Sequence, residues 1–230
     1  LTQGNVITIA DKLVTGNPIG LTVEGPQVIT SGYGAKTDNS APGIYFKMDK
    51  PKTHGLTLTA GELKAVTNSF NQGISSASQL LALTGSGKSN TAENGYYLSG
   101  NITISSTWSI SSAEIHLDLN GYQIKRSGTG SVISIASGSS LHIYDGRGGG
   151  KITGGNGVQY GAGIHNSGTF NLYDGEISGN TSTVDGGGVY NKGTFNLHDG
   201  TITKNESPHG AGIYNCAGAT INLYDGIICD

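Results

Sequence analysis

A chain of 230 residues has room for one large all-β unit or for two ordinary domains. Its 39 glycines, roughly 17% against a usual ~7%, suit tight turns between short strands. A formal charge of -3 with 13 scattered basic residues excludes the basic stripe that nucleic acid or an anionic membrane surface requires. No apolar run reaches the ~20 residues of a membrane-spanning helix, so membrane insertion is not expected.

The chain opens on Leu1-Thr2-Gln3 without a secretory-leader pattern, so the sequence is expected to be a processed product or a piece of a longer polypeptide. Asn5–Ile9, Gly20–Val23 and Gln27–Thr30 read as strands able to complete a β-helix. Tyr33–Lys52 is a loop region rich in Gly, Pro and Asp, and Leu56–Leu58 is a further short strand. Gly61–Val66 and Ala77–Leu83 read as short helices flanking a polar linker from Thr67 to Ser76. The organisation predicted is a closing segment over residues 1–66, a linker over 67–95 and a main body over 96–230. Ala82–Ser89 fits a permissive phosphate-loop pattern, but the residues that follow, Asn90–Gly95, read as a loop where that mechanism needs a helix. A linker is the better reading.

From Tyr97 onward short apolar-alternating strands recur, at Tyr97–Ile104, Glu114–Leu119, Ser131–Ile135 and Ser140–Tyr144. The repeat then becomes explicit. Gly161–Asn166 (GAGIHN), Gly186–Asn191 (GGGVYN) and Gly210–Asn215 (GAGIYN) superimpose at a nearly constant spacing. Gly168–Gly175 (GTFNLYDG), Gly193–Gly200 (GTFNLHDG) and Ala219–Gly226 (ATINLYDG) follow in step, and Glu176–Ser178, Thr201–Thr203 and Ile227–Cys229 form a third strand. Three strands per period of about 25 residues cannot hold a helical repeat. The chain is therefore all-β, a right-handed parallel β-helix with three sheets, about 4.8 Å per rung and minor helical content.

Alternation places Phe170, Phe195 and Ile221 inward, together with Leu172, Leu197 and Leu223, Ile164, Val189 and Ile213, and Ile177, Ile202 and Ile227. Asn166, Asn191 and Asn215 form one corner column and Asn180 and Asn205 another. Stacked amides bond along such a column, and Asn tolerates left-handed backbone. The Asp-Gly pairs at 145, 174, 199 and 225 read as corners. Arg147–Gly150 is an inserted loop that lengthens the Tyr144 to Tyr173 spacing beyond the regular rung.

These units resemble the right-handed β-helix repeats of large bacterial surface proteins, including the polymorphic outer-membrane and adhesin-like proteins. Tyr96–Asp230 resembles the opening and first rungs of such a helix, with Leu119–Ile124 as a recurrent early strand. Leu1 to about Ala65 resembles the segment that closes one, particularly at Ile19–Val23 and Ser31–Gly34. The resemblance implies an extracellular or cell-surface structural protein or adhesin. The order, closing segment before opening segment, predicts stacking with other copies head to tail or as tandem repeats. Val6, Ile7 and Ile9 at one end and Ile227 and Cys229 at the other are the candidate contacts.

Outward aromatic columns, His165, Tyr190 and Tyr214 on one sheet and Tyr173, His198 and Tyr224 on the next, are the candidate ligand contacts, with surface glycans as the ligand class. Ring-on-ring stacking between rungs is the competing reading. A polysaccharide lyase or hydrolase would need a unique carboxylate cluster. Here acids recur at corners, and Glu114 with Asp118 is the one further close pair, so no catalytic residue, metal or cofactor is expected. Cys216 and Cys229 are a candidate disulfide or two free thiols, too few for a structural zinc site. Asn101, Asn180 and Asn205 fit the glycosylation sequon, although the last two fall in a corner column.

Overall fold

The computed structural model describes residues 70–230 throughout and, before them, the strands Ile7–Thr8, Ile19–Leu21, Gln27–Ser31, Phe46–Met48, His54–Thr59 and Glu62–Thr67. The chain divides into two compact units, 1–69 and 70–230.

The larger unit is a parallel β-solenoid of about six turns. Its first sheet runs Trp108–Ile110, Ile133–Ile135, Ile164–Asn166, Val189–Asn191 and Ile213–Asn215. The second has seven strands, Phe70–Ile74, Gly95–Leu98, Glu114–Asp118, Ser140–Tyr144, Thr169–Leu172, Thr194–Leu197 and Thr220–Leu223. A third sheet runs Ile102–Ile104, Gln123–Arg126, Lys151–Thr153, Glu176–Ser178, Thr201–Thr203 and Ile227–Cys229. Every ladder among these is parallel, and each rung pairs with the rung before it in unbroken register from Trp108 on. Asn156–Tyr160 and Thr181–Asp185 add a two-stranded parallel extension outside the three sheets.

Periodicity in sequence becomes columns in space. Ile115, Leu141, Phe170, Phe195 and Ile221 share one register position, and Leu117, Ile143, Leu172, Leu197 and Leu223 another. Phe170 and Phe195 are fully buried and stacked at 5.1 Å. The expected inward column on the third sheet needs one correction. Ile202 pairs with Ile228, so Ile228 continues Ile177 and Ile202 inward while Ile227 pairs with Thr201 and faces outward. Counting from the corner glycine gives the same answer, because Ile177, Ile202 and Ile228 each lie two residues beyond Gly175, Gly200 and Gly226.

The asparagine columns are hydrogen-bonded ladders. Asn166 Nδ2 donates to Asn191 Oδ1 at 2.7 Å, and Asn191 Nδ2 to Asn215 Oδ1 at 2.7 Å. Asn180 Nδ2 donates to Asn205 Oδ1 at 3.0 Å. Left-handed backbone is not part of their role, since the non-glycine residues at positive φ among those described are Ser112, Asn120 and Lys204. A further ladder, not expected from the sequence, runs on the outer face: Asn222 donates to Asn196 Oδ1, and Asn196 to Asn171 Oδ1, at 2.7 and 2.8 Å. Three of the four Asp-Gly corners share one geometry, while at the fourth Gly146 N–H donates to Asp118 Oδ1 and Asp145 accepts from Gly121 and Gly150 N–H. Asp174, Asp199 and Asp225 each accept from the following glycine N–H, and Gly175, Gly200 and Gly226 sit at φ +99, +94 and +98. Corners also pack closely, so that a Cβ on Gly193 would lie 2.0 Å from the Gly168 carbonyl oxygen. Asn180 and Asn205 are buried by these contacts, which leaves Asn101 as the exposed sequon.

The segment expected as a linker belongs to the fold. Phe70–Ile74 pairs in parallel with Gly95–Leu98 as the first strand of the second sheet, so the boundary falls between residues 69 and 70. The helix expected at Ala77–Leu83 forms over Ala77–Leu81, capped by Ser76 and Gln79 in a reciprocal capping box. It packs on Ile102–Ile104 and Trp108–Ile110, the first strands of two sheets, and buries Leu80. Leu83 is buried beside it and its carbonyl accepts the Trp108 indole N–H at 3.0 Å, closing the start of the coil.

In the smaller unit, Ile7–Thr8 pairs in parallel with Gln27–Ser31 and Ile19–Leu21 with Phe46–Met48. The partners Ile7 and Thr30, and likewise Ile19 and Phe46, are separated in sequence by close to one rung. Glu62–Thr67, expected as a helix, is a strand antiparallel to both Gln27–Ser31 and His54–Thr59. Thr59 pairs with Glu62, a spacing that admits only a two-residue connection, and β-branched residues line both arms. Val6, Ile9 and most of Tyr33–Lys52 lie outside the described residues.

Candidate functional site

Strand pairing brings every candidate ligand residue into one of two outward stacks. On the second sheet Tyr144, Tyr173, His198 and Tyr224 follow one another with ring centroids 4.6, 4.3 and 4.8 Å apart and planes within 10°. On the first sheet His165, Tyr190 and Tyr214 follow at 5.3 and 5.5 Å. The rings of the second sheet, and Tyr190 with Tyr214, thus face one another from rung to rung, whereas His165 is tilted by 34° against Tyr190. Ring stacking between rungs adds cohesion along both columns.

Burial tunes these groups. It pushes His198 down to about 4 and the Tyr173 hydroxyl well above its ordinary value. His142 is likewise pushed down to about 4, chiefly by burial. For a base with a lowered folded pKa the unfolded chain binds more protons between about 6.5 and 4, so stability is complete above that window and falls as pH drops through it. Each ring contributes at most roughly 3 kcal/mol, at about 1.4 kcal/mol per pKa unit. Thermal unfolding followed from pH 7 to pH 4 is expected to show a falling midpoint, and His198→Asn is expected to flatten part of that slope.

The early carboxylates divide their work. Asp118 turns to the corner, accepting from Asn120 N–H at 2.7 Å and Gly146 N–H at 2.9 Å. Glu114, on the same outer face, meets two histidines that sequence reasoning passed over. Its Oε1 lies 3.4 Å from His116 Nε2 and 3.4 Å from His142 Nε2. The two imidazoles are in register on adjacent strands and stacked at 3.9 Å with planes 7° apart. Their side chains are 10% and 14% exposed, against 57% for Glu114. Hydrogen bonds from the two rings, that from His116 first, hold the Glu114 carboxyl far below the usual range. Tyr144 Oη lies 3.0 Å from His116 Nδ1, whereas His142 Nδ1 is buried without a partner. The signal was present in the sequence, since EIHLD at 114–118 and SLHIY at 140–144 superimpose when shifted by one rung.

At the far end of the coil Ile213–Asn215, Thr220–Leu223 and Ile227–Cys229 are the outermost strands of their sheets. Ile213, Ile221, Leu223 and Ile228 line a shallow apolar depression there, with Leu223 60% and Ile228 42% exposed. Cys216 and Cys229 are free thiols and not a disulfide. They sit on different sheets, Cys216 just beyond Asn215 and Cys229 beside Thr203 Oγ1 at 3.4 Å. Ser86–Lys88, within the phosphate-loop pattern, is a single 3-10 turn.

The chain matches no family model, no curated protein and no solved structure. What the coil itself defines is the class, a parallel β-helix repeat protein. The bacterial outer-membrane family that its motifs resemble is not named by any match.

Proposed function

We propose that this protein is a structural unit whose β-helix stacks head to tail with further copies of the same chain, forming a fibre or tandem array on or outside a bacterial cell. The observation that carries the reading is the unlike character of its ends. In residues 70–230 the Ala77–Leu81 helix packs on the first strands of the first and third sheets, while at the last rung all three sheets end on a strand with one unpaired edge among the described residues. Residues 1–69 have the opposite arrangement. Among the described residues Ile7–Thr8 is the outermost strand on one side of its sheet, paired in parallel at near-rung spacing, and antiparallel strands occupy the other. An antiparallel strand does not continue a parallel coil. Among the described residues an outgoing parallel edge thus lies on the last rung and an incoming parallel edge on the first strands.

Joining those two edges continues parallel pairing from one copy to the next and covers the apolar columns at Ile221, Leu223 and Ile228. An exposed edge over apolar columns is otherwise an aggregation liability. Because the joined surfaces differ, the contact repeats without closing and generates open filaments. Ile7 lies on the incoming edge and Ile227 and Cys229 on the outgoing one. The resemblance of the repeats to bacterial surface proteins supports the extracellular setting and an adhesive role.

Removal of residues 1–30 tests the reading. The full chain is expected to give long assemblies by light scattering and negative-stain electron microscopy, and the shortened chain single particles. Fibres unchanged by the deletion would reject the proposal.

A further inference from the structure

We propose that Glu114, His116 and His142 bind one divalent transition-metal ion of the zinc class on the outer face of the seven-stranded sheet. The three donor atoms lie within 4.8 Å of one another. A tetrahedral ion with bonds of about 2.0–2.1 Å separates its donors by about 3.3 Å. The two carboxylate-to-imidazole distances, 3.4 Å each, already match that edge. Only the two imidazole nitrogens remain to be drawn together.

The backbone supplies the rigidity such a site needs. His116 and His142 are directly paired across one parallel ladder step, on strands whose inward faces are fully buried at Ile115, Leu117, Leu141 and Ile143. An imidazole lone pair lies in the plane of its ring, and the rings are now nearly parallel. Binding therefore turns each ring about its Cβ–Cγ bond so that both planes converge on the ion. Tyr144 is placed to hold one ring in the bound state. When His116 gives Nε2 to the metal its proton resides on Nδ1, which then donates to Tyr144 Oη, the outer-shell bond that metal-bound histidines characteristically make. His142 has no partner at Nδ1, so the candidate site provides the polar contact that orients it.

Two imidazoles with one carboxylate suit zinc and its neighbours, whereas calcium and magnesium call for oxygen donors. Three protein ligands leave a fourth position for water, on the side where Glu114 is exposed.

Titration of the full chain with Co²⁺ alone, followed by displacement with Zn²⁺, tests the site. One equivalent is expected to bind, with the visible absorption of low-symmetry four-coordinate cobalt, and Zn²⁺ is expected to abolish that signal. Glu114→Gln and His142→Ala are each expected to weaken binding at least about tenfold, and Tyr144→Phe about tenfold. His165→Asn combined with His209→Asn is expected to change nothing. If His142→Ala loses its fold by circular dichroism, Glu114→Gln carries the test, since that side chain is largely exposed. Absence of a saturable single equivalent, or binding that survives Glu114→Gln or the pair His116→Ala and His142→Ala, overturns the proposal.

Discussion

Asn180→Ala is expected to cost roughly 3–4 kcal/mol, read as a large drop in the urea midpoint of the full chain. Asn180 is fully buried, accepts from Gly155 N–H at 3.0 Å, and donates to the Ile152 and Ser178 carbonyls and to Asn205 Oδ1. Alanine leaves several of these groups buried without partners, at about 1–3 kcal/mol for each unsatisfied group. The outer ladder provides the contrast. Asn222→Ala removes a bond to Asn196 Oδ1 of similar length, but water replaces it there, and a change under about 1 kcal/mol is expected. Equal costs at the two sites would mean that burial is not what gives the inner ladder its strength.

A second large effect is expected at the open end. Leu223→Lys combined with Ile228→Lys places two cations on the apolar columns that the next copy would cover. Both side chains are already substantially exposed, so the fold of the single chain is expected to change by less than about 1 kcal/mol. Assembly is expected to be abolished, with light scattering reporting single chains at concentrations where the unaltered protein is assembled. A cation at Ile227, which faces outward from the third sheet, is expected to weaken assembly much less. That difference separates burial of the inward columns from a general gain of charge.

Much of this architecture was legible in the sequence because rungs repeat motifs at nearly constant spacing. The columns through Phe170, Leu172, Ile164 and Ile177, the two inner asparagine ladders and the Asp-Gly corners follow from superimposing GAGIHN on GGGVYN and GTFNLYDG on GTFNLHDG. The ambiguity arose where alternation failed. Ile227 and Ile228 are both apolar, so polarity does not choose the inward one, and only the count from Gly226 does. Glu62–Thr67 has helix-forming residues, but its pairing with His54–Thr59 across a two-residue connection overrides local preference. Phe70–Ile74 carries no repeat motif, and its place in the coil comes from pairing with Gly95–Leu98 alone.

The site at Glu114 was harder to see for a related reason. Its residues come from neighbouring strands of the early, degenerate rungs, where His116 and His142 each look like an isolated outward polar residue. Register makes them neighbours. The aromatic columns posed the reverse problem, since their alignment is plain from the repeats but the ring orientation is not. The rings are set by packing between rungs, stacked at every step of the second-sheet column and tilted at the His165–Tyr190 step of the first.

Head-to-tail stacking is tested most directly by cryo-electron microscopy of the unaltered full chain. Unbranched filaments are expected, with one chain per axial repeat and the β-rung spacing of about 4.8 Å running unbroken across the junction between copies. Discrete single particles across the whole concentration range, or filaments joined through lateral faces with both coil ends free, would contradict it.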